Sequence, residues 1–351
     1  MNIGSILGKK KSGDVGIELE AEFDAARAPV PQYKDWLAKP EGSLRDVSME
    51  YVSASPFKVD KSLRDKIDNL CNAINAPAFK VRKDSPRTSI HVHTNILDLT
   101  PTQMFTFGIA YWTIENALFN YCGPGRKNNL FCLRLTDASG AVEYLSDTLR
   151  VTIGNELFRH LESDAIRYSG INWNAAPKFG SLEFRGMRGS TDPEVMYTWA
   201  KGLHDLKVNS TNNFKNPAEL LDSYAVMDKE VYLGRLLSPE FAKIIKSYAN
   251  WTEGMDENVC ILSDLAYSKS WEKFDTTFKA KPDKPKARPA HVLDDQDMWV
   301  DDPRPAVNFD DLDNDPILNN PNPILQDDGR INWRVLGMNP PAGAVLNDRL
   351  N

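Results

Sequence analysis

The chain has 351 residues, 41% of them apolar and 26% charged, and a formal charge of −7; at about 150 residues per domain this allows one large domain or two smaller ones. The acidic balance excludes a general nucleic-acid binder, which needs clustered Lys and Arg against phosphate. The longest mostly apolar window, Phe105 to Ile114, falls well short of the roughly 18–20 residues of a membrane-spanning helix.

From the N-terminus, MNIGSILGKKKSG places its lysines after a short apolar stretch, the reverse of a secretory signal. Asn2 is incompatible with myristoylation. The four cysteines, Cys71, Cys122, Cys132 and Cys260, are dispersed, with no C-x-x-C pair, so neither a disulfide framework nor a zinc ribbon is expected. Reduced thiols and a cytoplasmic location are the expectation, with no membrane partner.

The first strand is GIELEAEF. Ile17, Leu19, Ala21 and Phe23 alternate with Glu18, Glu20 and Glu22, and alternation puts the glutamates on one face. SMEYVSASP is less regular and leaves the orientation of Glu50 open, with a face shared with Val52 as one option. A helix follows Asp60, with Leu63, Ile67, Leu70, Cys71 and Ile74 at helical spacing. In TSIHVHTN, Ile90 and Val92 oppose His91, His93 and Asn95; in GSLEFRGM, Leu182 and Phe184 oppose Glu183 and Arg185. Four more helices announce themselves by a capping residue before proline, at Thr100-Pro101, Asp192-Pro193, Asn216-Pro217 and Ser238-Pro239. Their apolar stripes read as core packing.

An exposed sheet face is polar by default, but here the polar positions are Glu, Glu, His, His, Glu and Arg. Like-charged carboxylates on one face repel unless a cation neutralises them. Oxygen ligands with one or two imidazoles suit Mg²⁺ or Mn²⁺ better than a dedicated zinc site. An arginine beside them suits an anion held by the same metal, most simply a nucleotide phosphate. The strands therefore point to metal-dependent phosphoryl chemistry.

The order of these motifs is G-I-E-L-E, then Glu50 in E-x-V-S-x-x-P, then H-V-H, then L-E-F-R-G before G-S-T-D. From about residue 14 to 205 it resembles the amidoligase family, with GPGRKNNLFC and RYSGINWN as intervening landmarks. The resemblance implies an α+β, glutamine-synthetase-like fold: a curved antiparallel sheet with helices on its convex face. It implies an ATP-dependent carboxylate–amine ligase working through an acyl phosphate, with ATP and Mg²⁺ or Mn²⁺ as cofactors. Its partners would be carboxylate and amine substrates, whether small molecule, peptide or protein. On this resemblance Glu18, Glu20, Glu50, His91 and Glu183 are metal ligands, and Glu50, on the substrate side, is also catalytic together with Arg185. His93 contacts phosphate or nucleotide, and Arg185 grips the transferring phosphate. Arg126 and Arg167 are further candidates for phosphate or the substrate carboxylate. PEGSLRD stands where the family carries an acidic-Gly-Ser element, a loose match through Glu41 and Ser43. Glu22 is expected to be an exposed strand residue outside the site.

The composition changes after about residue 275. Residues 276–351 hold ten of the 22 prolines, thirteen aspartates and no glutamate, too little apolar surface for a core. The domains expected are thus 1–275, catalytic, and 276–351, an extended tail with Trp299, Phe309 and Trp333 as anchors for a protein partner. Two other readings remain open. One is a metal-dependent hydrolase, which leaves Arg185 unexplained. The other is a phage structural or assembly protein that retains the ligase fold and uses the tail to bind virion subunits, placing it in the host cytoplasm or the virion.

Overall fold

The computed structural model describes residues 1–282, apart from 31–33, 45, 84 and 128. The acidic tail with Trp299, Phe309 and Trp333 lies outside the described residues. Six strands form one open sheet: β1 (Val15–Phe23), β2 (Trp36–Pro40), β3 (Val47–Ser53), β4 (Ser89–Asn95), β5 (Ile171–Asn172) and β6 (Ser181–Arg188). Their order is β2-β3-β1-β4-β6-β5, and every neighbouring pair is antiparallel. Together with the helices this is the α+β class expected from the sequence.

The sheet has one apolar face. Ile17, Leu19, Ala21 and Phe23 of β1, Ile90 and Val92 of β4, and Leu182, Phe184 and Met187 of β6 are all buried. Each contributes about 1.5–3 kcal/mol where its side chain is large. The helix Pro101–Thr113 lies against this face, with Phe107 and Tyr111 ring centroids 5.3 and 4.8 Å from Phe184. It is buried almost all round, as a central helix must be. Its Thr100–Gln103 capping box forms at the expected place. The capped helices Lys61–Ile74, Pro193–Asn213, Pro217–Val226 and Pro239–Lys246 also begin where their caps announce them.

Glu22 departs from expectation. It is buried beneath Arg82, whose Nη1 lies 3.8 Å from Glu22 Oε2. Near the end of β1 the polar side is covered, so alternation alone misplaces this residue.

Behind the sheet lies a buried carboxyl group. Glu115 is wholly buried; its Oε2 accepts from the Leu135 amide at 2.5 Å, and its Oε1 finds no partner among the described residues. A β-carbon at Gly170 would stand 2.4 Å from that Oε1, so any larger residue there would have to displace the Glu115 carboxyl. Burial pushes the Glu115 carboxyl up to about 8, against the opposing pull of the Leu135 amide and Arg134. Between its ordinary value of 4.5 and about 8 the unfolded chain ionises while the folded chain keeps its proton, so stability falls as pH rises through that window. Glu115→Gln removes this linkage. The melting-temperature advantage of Glu115→Gln over wild type is expected to grow from pH 5 to pH 8, and a pH-independent difference would contradict it.

The packed chain runs past residue 275. Phe278 is buried, 6.1 Å from Phe158 and 5.1 Å from Phe274 by ring centroids. Asn155 Oδ1 accepts from the Lys279 amide, and the Ser5 carbonyl accepts from the Lys281 amide, both at 2.9 Å. A chain ending at 275 is therefore expected to be less stable than one ending at 282, by about the 3 kcal/mol typical of a lost buried phenylalanine. Denaturant titration of the two truncations checks this.

Candidate metal centre

Strand register assembles the polar face. Glu18 of β1 pairs with His91 of β4, His93 of β4 with Glu183 of β6, and Glu183 with Asn172 of β5. Directly paired residues in antiparallel strands project to the same side, so these groups converge although they lie far apart in sequence. Glu20 pairs with Glu50 of β3, which settles the orientation left open above. Glu50 and Val52 share the face of Glu20 and Glu18, while Tyr51 points into the core.

Glu18, His93 and Glu183 each offer a ligand atom within 4.8 Å of the others. His93 Nε2 is 3.4 Å from Glu18 Oε1, and its Nδ1 is 3.0 Å from Ser181 Oγ. His91 stands beside this group, its Nδ1 3.4 Å from Glu18 Oε2 and 3.5 Å from Glu183 Oε1. Ser89 Oγ donates to Glu20 Oε2 at 2.6 Å and lies 2.9 Å from His91 Nε2. A hydroxyl has one proton to give. With that proton on Glu20, the serine must accept from an Nε2–H of His91. The other ring nitrogen, Nδ1, is then the one turned toward the two carboxylates.

The electrostatics agree. Burial alone would raise Glu18, but hydrogen bonds and charge from His91 and His93 outweigh it and hold the carboxyl far below its ordinary range. Glu183 is also lowered, burial being overcome by His93, Arg185 and His91. His93 is raised: burial would lower it, but the Glu18 hydrogen bond and the Glu183 charge prevail. Glu50 is raised by burial and then by Glu18, against the pull of Lys39, its cross-strand neighbour.

Arg185 is aimed by an irregularity in β6. Ile90 and Val92 flank one residue, His91, whereas their partners Met187 and Phe184 flank two, Arg185 and Gly186. Such a bulge re-aims a side chain and frees ladder groups. Arg185 Nη1 binds Glu183 Oε1 at 2.5 Å and Nε donates to the Phe131 carbonyl at 3.2 Å, leaving Nη2 without a protein partner among the described residues. Arg126, expected at phosphate, does something else. It is 4% exposed, and its Nε and Nη2 donate to the carbonyls of Gly186 and Arg185 at 3.1 and 2.8 Å. It holds the bulge in place. Arg167 is exposed and lies over the Tyr168 ring, 5.5 Å from its centroid.

The strands thus bring together Glu18, Glu183, His93, His91 and Arg185. Glu20 and Glu50 form an adjoining pair, Arg126 supports from behind, and Arg167 stands at the margin. Where the resemblance implies His91 as the ligand, the group whose ligand atoms all lie within 4.8 Å of one another takes His93, and His91 Nδ1 stands 3.4 and 3.5 Å from the same two carboxylates. Three supporting residues were not singled out from the sequence. Asn172, whose Nδ2 donates to Glu183 Oε2 at 2.6 Å, falls within RYSGINWN but was given no role. Ser89 and Ser181 carry no signal at all, since any strand tolerates serine.

No model of a known protein family matches this chain, and no curated protein matches it.

Two carboxylates and an imidazole are a donor set that fits Mg²⁺ or Mn²⁺. Wild type is expected to be stabilised by Mn²⁺, by about 2.7 kcal/mol at 100 times the Kd, with a higher melting temperature, and Glu18→Gln or Glu183→Gln to lose that gain. Because the raised His93 must shed its proton to ligate, the effect is expected to be larger at pH 8 than at pH 6. Scanning fluorimetry with Mn²⁺, Mg²⁺ and EDTA measures both.

Proposed function

We propose that the chain is a divalent-metal-dependent ligase that uses ATP to join a carboxylate to an amine, on a glutamine-synthetase-like fold. The observation that carries the metal-and-phosphate part is the meeting of Glu18, His93 and Glu183 within 4.8 Å, with Arg185 bound to Glu183. The order of motifs from residue 14 to 205 supports the ligase part.

Glu18, His93 and Glu183 would hold the cation, with His91 Nδ1 beside them. A cation there supplies neutralisation of phosphate charge, the main demand of phosphoryl transfer. Arg185 adds a fixed positive charge: with Nη1 and Nε tied to Glu183 and Phe131, Nη2 would be left to bind phosphate without reorganisation. Glu20, Glu50 and Lys39 line the adjoining stretch of the face. The Glu50 carboxyl, raised by burial and by Glu18, would be the group to take the proton of an attacking amine.

The deciding measurement is ADP release with Mg²⁺ that requires both a carboxylate and an amine, with the amide found by mass spectrometry. ADP release with neither substrate present would argue for a hydrolase. Arg185→Lys keeps the charge but loses the planar fork. It is expected to lower kcat by about 10²-fold, typical of one removed transition-state donor, with little change in nucleotide affinity.

A further inference from the structure

On the flank of the site nearest Arg185 the surface carries aromatic groups that no packing explains. Leu130, Phe131 and Tyr168 are 64%, 58% and 42% exposed. Phe131 and Tyr168 meet edge to face with ring centroids 6.4 Å apart, and Arg167 lies over the outer ring. Leaving this apolar group in water is unfavourable without a ligand to cover it.

The group is anchored to the catalytic strand. The Phe131 carbonyl accepts from Arg185 Nε at 3.2 Å. The Leu133 amide donates to the Tyr168 carbonyl, and the Gly170 amide to the Leu133 carbonyl, both at 2.8 Å. The Gly170 carbonyl in turn accepts from the Arg185 amide at 3.0 Å. Segments 130–133 and 168–170 therefore form one braced ledge beside Arg185, whose Nη2 has no protein partner among the described residues.

Resting on the nucleotide reading above, we infer that Phe131, Tyr168 and Arg167 are the stacking platform for the planar base of the nucleotide whose phosphates lie at the Arg185 side of the metal centre. Two aromatic rings and a guanidinium recognise a flat π-system through stacking and cation–π attraction, whichever base it carries. A saturated chain would bury apolar area on the rings but would leave the Arg167 charge covered and unpaired. The acidic balance of the chain speaks against a polynucleotide and for a single nucleotide. The phosphates then point from this ledge toward Glu183 and Glu18, leaving the Glu20–Glu50 end of the face for the other substrates.

The test uses the full chain with Mn²⁺ and two probes, ATP and inorganic tripolyphosphate, followed by calorimetry. Wild type is expected to bind ATP more tightly than tripolyphosphate. Tyr168→Ala and Phe131→Ala are each expected to weaken ATP about tenfold or more, leave tripolyphosphate unchanged and keep the Mn²⁺-induced gain in melting temperature; Tyr168→Phe is expected to keep wild-type affinity. Equal binding of the two probes by wild type, with metal binding intact, overturns the platform but not the metal centre. Unchanged ATP affinity in both alanine variants overturns it as well. Parallel loss of both probes shows that the ledge only positions Arg185, also against the proposal. Wild type that binds Mn²⁺ but neither probe ends the nucleotide reading itself.

Discussion

Two carboxylates, Glu18 and Glu183, share the same pair of imidazoles on one face of a six-stranded sheet, and much of the site follows from keeping their charges together. Burial raises the cost of each anion, and the histidines offset it so strongly that both carboxyls titrate below their ordinary value. The histidines are themselves held by serine hydroxyls, Ser89 for His91 and Ser181 for His93. At His91 the serine proton goes to Glu20, which leaves Nε2 as the donor in that bond. The result is a cluster of carboxylates and imidazoles turned toward one another on one face of the sheet, and the proposed cation site rests on it.

The second constraint is geometric. A regular β6 would turn successive side chains to alternate faces without interruption, but two residues stand between the core positions Phe184 and Met187. The extra residue is tolerated because Arg126 takes up the carbonyls of Arg185 and Gly186. A buried guanidinium is expensive to desolvate, and here it satisfies the backbone groups a bulge exposes. Glu115 occupies the same region, with its oxygen against Gly170 and its other oxygen on Leu135. The layer behind the site therefore carries buried polar groups where a purely structural core would be apolar, and they support the segments that hold Arg185.

Across the sheet the face divides into three stretches. Lys39, Glu50 and Glu20 lie toward the β2 edge, the Glu18–His93–Glu183 group lies centrally, and Arg185 with the Phe131–Tyr168 ledge lies toward β5. Charge changes sign along this path, from a raised carboxyl to depressed carboxylates to a free guanidinium nitrogen. The proposed ligands, a carboxylate and a nucleotide, would meet these environments in that order.

What the sequence alone determined were the features that local physics decides. The alternation in GIELEAEF and TSIHVHTN depends only on strand period, so the shared face of Glu18, Glu20, His91 and His93 was readable from residue order. The caps at Thr100, Asp192, Asn216 and Ser238 depend on neighbours within one turn and were equally plain. Tertiary structure decided what depends on partners far along the chain. Glu22 follows the same alternation as Glu18 yet is buried, because Arg82 crosses over it. Arg126 and Arg185 look alike in sequence. One meets freed carbonyls and becomes a brace, while the other meets Glu183 and becomes part of the site. Which histidine stands opposite which carboxylate turned on the register of β4 against β1 and β6. Register and bulges are set by long-range pairing, and no local pattern encodes which charge will find which partner.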